Sequence, residues 1–112
     1  MKFVNLHTHL YTNSDSILEI VNQYPNEFSD EIPHYSIGIH PWYITDERVS
    51  EDVNTIKKKL QFKECVALGE CGLDKRIEKK IEVQIDVFES QLSLLSEVEK
   101  PVILHCVAAF DE

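Results

Sequence analysis

Asn5-Leu6-His7-Thr8-His9 is the stretch whose reading decides the fold. It closes a short apolar run and opens a polar loop at Thr12, Asn13, Ser14 and Asp15. On a strand, residues two apart face the same way, so His7 and His9 can aim two imidazoles at one point. Neutral imidazole is a common metal ligand, and two from one strand end make half of an inner shell. With five histidines in the chain, such a pair is a weak signal by itself. Its weight comes from where the other chemically able residues fall.

Three further apolar runs lie downstream. Tyr35-Ser36-Ile37-Gly38-Ile39 ends at His40, where Pro41 breaks the ladder. Cys65-Val66-Ala67-Leu68 runs into Gly69-Glu70, and Pro101-Val102-Ile103-Leu104 ends at His105. Helical stripes separate them. Ser16 and Glu19 resemble a capping box ahead of Ile17, Ile20, Val21 and Tyr24, and Pro25 stops that helix. Thr45 starts a second helix carrying Val49, Val53, Ile56 and Leu60. Ile77, Ile81, Ile85, Phe88, Leu92, Leu95 and Val98 predict a third, of about six turns. Residues 108–112 read as the start of another. The order β-α-β-α-β-α-β predicts a parallel sheet with right-handed crossovers.

Every predicted strand therefore ends in a potential ligand or polar catalyst: His7 and His9, His40, Glu70, and His105. Parallel strands share one direction, so these residues gather on the rim where α/β barrels place their chemistry. Each has a plainer reading. His105 closes an apolar run and could be a core histidine bonded to a carbonyl. Glu70, between two glycines, could cap a turn. His40, beside Pro41 and Trp42, suits a supporting or substrate-facing role better than a direct ligand role. Asp74 suits loop orientation better than ligation. Trp42, Tyr43 and Tyr11 could line the pocket mouth or pack in the core. The Lys57-Lys58-Lys59 run is the solvated C-terminal end of a helix.

Composition narrows the classes. Twenty acids against eleven bases, a formal charge of −9, argue against broad nucleic-acid binding through a basic patch. A nucleic-acid substrate held by metal ions stays compatible with that charge. No apolar run approaches a membrane span, and Met1-Lys2 opens no signal peptide. Cys65, Cys71 and Cys106 are odd in number and sit in apolar contexts. They read as reduced, buried small hydrophobes of a cytoplasmic protein.

His7-Thr8-His9, Gly38-Ile39-His40-Pro41, Gly69-Glu70-Cys71-Gly72-Leu73-Asp74 and Pro101-Val102-Ile103-Leu104-His105 occur in this order. Together they resemble the TatD family of metal-dependent hydrolases and DNases, within the amidohydrolase-like TIM barrels. Gln84 and Gln91-Leu92 fit the same pattern. The resemblance implies a divalent-metal phosphodiesterase acting on DNA. It implies two metal ions, with His7 and His9 on one, Glu70 bridging, His105 on the second, and His40 near substrate phosphate. Imidazole and carboxylate donors suit Zn²⁺, Mn²⁺ or Ni²⁺ better than Mg²⁺. Leu10-Tyr11 stands where many members carry an acid, and Val107 where many carry an arginine.

The expected fold is the first half of a (βα)₈ TIM barrel, four parallel strands with intervening helices. Residues 1–112 form the N-terminal half of a hydrolase domain whose full barrel typically takes about 250 residues. The missing half would come from a second copy in a homodimer or from a complementary C-terminal half. Two other readings stand beside this one: a PHP-type phosphoesterase, whose pattern also suits His7-Thr8-His9 with Ser14-Asp15, and a non-catalytic split half-barrel.

Overall fold

The computed structural model describes residues 3–13 and 16–108. Five strands form one parallel sheet in sequential order, a curled half-barrel: β1 Phe3–Thr8, β2 Ile17–Gln23, β3 Tyr35–Ile37, β4 Cys65–Asp74 and β5 Val102–Val107. Helix α1 spans Val49–Leu60 and α2 spans Ile81–Leu92. The expected loop residues Ser14 and Asp15 lie outside the described residues. So does nearly all of the expected last helix, at 109–112.

The half-barrel architecture is as expected, but its elements differ in three places. The segment expected as the first helix is strand β2, so there are five strands rather than four. Residues 19–23 are all buried, and a strand covered on both faces has no alternation to distinguish it from a helix. Glu19 caps no helix. Its carboxylate accepts from Thr12 N (3.0 Å) and Thr12 Oγ1 (2.8 Å), tying down the short β1–β2 connection. The long third helix is shorter than its apolar stripe, covering 81–92 with a 3₁₀ turn at Ser93–Ser96. Strands β4 and β5 run past their apolar cores, because Gly72–Asp74 pairs with His105–Val107.

Helices α1 and α2 cover the sheet centre, where Ile37, Ile56, Leu60, Leu68, Cys71 and Val87 form the core. Cys65 and Cys71 are buried, Cys106 is half-buried, and all three are free thiols. Two buried glutamines on α2, seven residues apart, clamp the sheet where its strands reach the site. Gln91 Oε1 accepts from Ile39 N (2.7 Å), and its Nε2 donates to Ile39 O (3.3 Å). Gln84 holds Asp74 N (2.8 Å) and Asp74 O (3.0 Å) in the same way.

Two register irregularities aim side chains. Asn5 pairs with Glu19 but Thr8 with Val21, so β1 carries one extra residue beside His7. Gly69 pairs with Ile103 and Cys71 with Leu104, so Glu70 is the extra residue of a bulge. An unpaired bulge residue is free to turn its side chain off the ladder, which is why bulges recur beside functional sites. The flanking glycines make this bulge possible. Gly69 and Gly72 have φ of +137° and +144°, and a Cβ at either would strike the carbonyl oxygen of Ile103 or His105.

Candidate metal centre

Four imidazoles surround the Glu70 carboxylate. His7 Nε2, His9 Nε2 and His40 Nε2 stand 3.5, 3.8 and 3.7 Å from Oε1, and His105 Nδ1 stands 3.2 Å from Oε2. The imidazoles come from the C-terminal parts of β1 and β5 and from the segment after β3, and the carboxylate from the bulge of β4. The fifth histidine, His34, precedes β3 at the opposite end of the sheet. Two sets of three residues, His7–His9–Glu70 and His40–Glu70–His105, each bring donor atoms within 4.8 Å of one another.

What holds the far side of each ring decides what its near side offers. His105 Nε2 lies 3.0 Å from Asp74 Oδ2, a fully buried carboxylate. Burial pushes the Asp74 pKa up, but hydrogen bonds from Arg76, Trp42 and His105 outweigh it and hold the group well below the usual carboxylate range. An ionised Asp74 accepts, so Nε2 carries the hydrogen and neutral His105 turns the Nδ1 lone pair toward Glu70. A lone pair facing a carboxylate oxygen at 3.2 Å needs a cation or a proton between them. This is the carboxylate–histidine arrangement that supports metal ligands. Asp74 thus touches the side of the His105 ring that faces away from Glu70.

His9 Nδ1 lies 3.1 Å from Tyr24 Oη, and the two rings stack. His40 is different. Its Nδ1 accepts from the backbone N–H of Trp42 (3.1 Å), so in the neutral ring Nε2 carries the hydrogen. Burial holds its pKa below the ordinary imidazole value, against the pull of Glu70. His40 therefore points a donor into the site, not a lone pair. Imidazole nitrogens of His7, His9 and His105 with the Glu70 carboxylate are a mixed N/O set of the kind that suits a borderline divalent ion.

Neither Tyr24 nor Asn22 was singled out in the sequence for this site. Tyr24 follows the last residue of β2, where a helical stripe is expected, and reaches His9. Buried Asn22 accepts through Oδ1 from the backbone N–H of Glu70 and from Ser36 Oγ, bracing the bulge. The only available signal was the polar pair Asn22-Gln23 inside an apolar run, which a strand buried at a site explains.

Trp42 and Tyr43 line the mouth, as one of the two readings expected. The Trp42 Nε1–H donates to Asp74 Oδ2 (2.8 Å), the same oxygen that faces His105. Among the described residues, no helix is long and apolar enough to cross a membrane.

Comparison with known proteins fits this geometry. The model of the TatD-related DNase family matches residues 1–112. The chain is 41% identical over 75 residues to the 3'-5' ssDNA/RNA exonuclease TatD of Erwinia billingiae, which covers 66% of this chain and 28% of that protein. It is 33% identical over 89 residues to the metal-dependent hydrolase YabD of Bacillus subtilis, covering 79% and 32%. Against the exonuclease TatD of Citrobacter rodentium the figures are 32% over 100 residues, 88% and 35%. The matched region is about a third or less of each relative's length. The family match also decides against a PHP-type reading: the chain belongs to the TatD-related DNase family.

Proposed function

We propose that this chain carries the first-half ligands of a divalent-metal phosphodiesterase acting on nucleic acid. The observation that supports it best is the carboxylate of Glu70 with four imidazoles within 3.8 Å. His7 and His9 would hold one ion and His105 a second, with Glu70 available to both. The names of the relatives, single-strand exonuclease and metal-dependent hydrolase, support the substrate and the metal dependence.

When bound, ions of this kind polarise a phosphoryl oxygen and acidify a water. The chain's own groups do the rest. Glu70 is held by the bulge and by Asn22, so its carboxylate needs little reorganisation. Asp74 and Tyr24 keep the His105 and His9 rings aimed. His40 and Glu70 are the catalytic pair. The Nε2–H of His40 donates to phosphoryl oxygen as negative charge grows there, a pre-set donor of the kind that favours the transition state over the ground state.

The remaining ligands and the group that takes the water's proton come from a complementary half-barrel, supplied by a continuation of the fold or by a partner. Residues 1–112 are then the N-terminal half of the domain. Titration calorimetry with Zn²⁺ and Mn²⁺ tests the site. Wild type binds, and Glu70→Gln or the pair His7→Ala with His9→Ala weakens binding by more than the roughly ten- to hundredfold expected for an outer partner. Equal affinity in wild type and these variants sinks the metal assignment. Metal-dependent cleavage of single-stranded DNA that is undiminished by Glu70→Gln sinks the catalytic one.

A further inference from the structure

A cleft of about 490 Å³ opens beside the metal centre, lined by Tyr24, Glu27, Trp42, Tyr43, Thr45 and Arg48 among others. It shares the walls Tyr24, Trp42 and Tyr43 with the cavity that contains His9, His40, Glu70 and His105, so the two adjoin. Resting on the nuclease reading above, we propose that this cleft is a nucleobase subsite. It seats the base of the nucleotide whose phosphate lies at Glu70.

The rings make a platform. Trp42 and Tyr43 are half-exposed, at 51% and 53%, an unusual state for two adjacent large aromatics. Neither is loose: Trp42 is fixed by its bond to Asp74, and Tyr43 packs edge-on against Tyr24 at 5.3 Å. Rigid exposed rings beside a phosphate site are how proteins hold single-stranded nucleic acid, since every base offers a π-face. The span fits. Tyr43 lies 5.4 Å from the His40 ring and Trp42 lies 5.6 Å from His105. A nucleotide's base and phosphate, joined through one sugar, suit two sites that adjoin in this way.

The polar groups favour a base over a second phosphate in this cleft. Glu27 on its wall repels an anion but accepts from an exocyclic amine, which adenine, cytosine and guanine carry and uracil lacks. Arg48 at the other side donates one bond to Thr45 Oγ1 (3.2 Å) and lies 3.8 Å from Asp52. Its half-exposed guanidinium keeps donors for ring nitrogens and carbonyls. The chain has one tryptophan, and it lines both this cleft and the adjoining cavity, so the base-free control separates the two.

The test is titration of the full chain in EDTA with AMP, CMP, UMP and ribose 5-phosphate. AMP and CMP quench Trp42 saturably, UMP binds several-fold more weakly than CMP, and ribose 5-phosphate does not quench. Tyr43→Leu lowers AMP affinity by about tenfold, and Glu27→Gln narrows the gap between CMP and UMP. A variant-free measurement stands beside these: the base protons H2 and H8 of AMP shift upfield on binding wild type, and the ribose protons shift less. Equal quenching by ribose 5-phosphate, or base protons that shift no more than ribose protons, overturns the subsite. The two readings fail separately. Base binding in EDTA with no Zn²⁺ or Mn²⁺ affinity that depends on Glu70 refutes the nuclease reading only. Glu70-dependent metal binding with no base-dependent quenching refutes the subsite only.

Discussion

Each imidazole at the centre has two nitrogens, and for three of the four a neighbouring group engages the nitrogen that faces away from Glu70. Backbone N–H to His40 Nδ1, carboxylate to His105 Nε2 and phenol to His9 Nδ1 each set a tautomer or a ring angle. The His40 assignment carries a pH signature. Burial favours the neutral ring, so its folded pKa lies below the unfolded value. As pH falls through about 6.5, the unfolded chain takes up a proton that folded His40 refuses. Stability therefore drops, and keeps dropping until the pH reaches the depressed folded value. We expect urea midpoints of the metal-free chain to fall between pH 7.5 and 5.5 with a slope that His40→Gln makes shallower. Gln still accepts from Trp42 N, and it does not titrate. Identical slopes for the two proteins would show that His40 is not held neutral.

At the scale of elements, β4 does most of the positioning. Its bulge presents Glu70, and its end carries Asp74. Gly72 sits between them at a φ that an L side chain rarely adopts, with the His105 carbonyl where a Cβ would be. Gly72→Ala should cost at least about 2 kcal/mol through strain and displacement of β5. Chemical denaturation checks this; an unchanged midpoint would mean that the β4–β5 approach is looser than described. Helix α2 acts from behind. Gln91→Leu keeps much of the volume but leaves Ile39 N–H and C=O without their buried partner. At about 1–3 kcal/mol per orphaned group, we expect a loss of about 2–4 kcal/mol. A loss below 1 kcal/mol would show that water replaces the amide.

At the scale of the molecule, β1 and β5 are the two edges of the sheet, and no further strand pairs with either among the described residues. Val4 (56%), Leu6 (68%) and Leu104 (59%) are exposed on them. Strand alternation would put Val102 and Leu104, or their neighbours of opposite parity, toward water; Leu104 is exposed, whereas Val102 packs against the core. Burying each such side chain is worth roughly 1.5–3 kcal/mol, and bare edges invite pairing. We expect the 112-residue chain to self-associate, with a light-scattering mass of at least twice its 13.0 kDa. The formal charge of −9 opposes this, so association should strengthen with salt as repulsion is screened. A monodisperse monomer at moderate salt would refute the expectation.

The order of strand-end residues was legible in the sequence because parallel strands leave no choice of rim. Once four apolar runs each ended in His or Glu, topology alone placed His7, His9, His40, Glu70 and His105 together. The segment after His9 was misread because a strand buried on both faces loses its period, and Ile17, Ile20 and Val21 then mimic a helical stripe. The bulge at Glu70 was invisible too, since register belongs to the pairing of two strands and not to either one. The same holds for Tyr24 behind His9, Asn22 behind Glu70 and the aromatic cleft beside them. The sequence by itself determined the half-barrel class and which side chains share its rim, because alternating strands and helices constrain direction. Only the tertiary structure decided which nitrogen each histidine presents. That choice depends on hydrogen-bond partners up to 31 residues away, as with Asp74 and His105, and no local pattern records them.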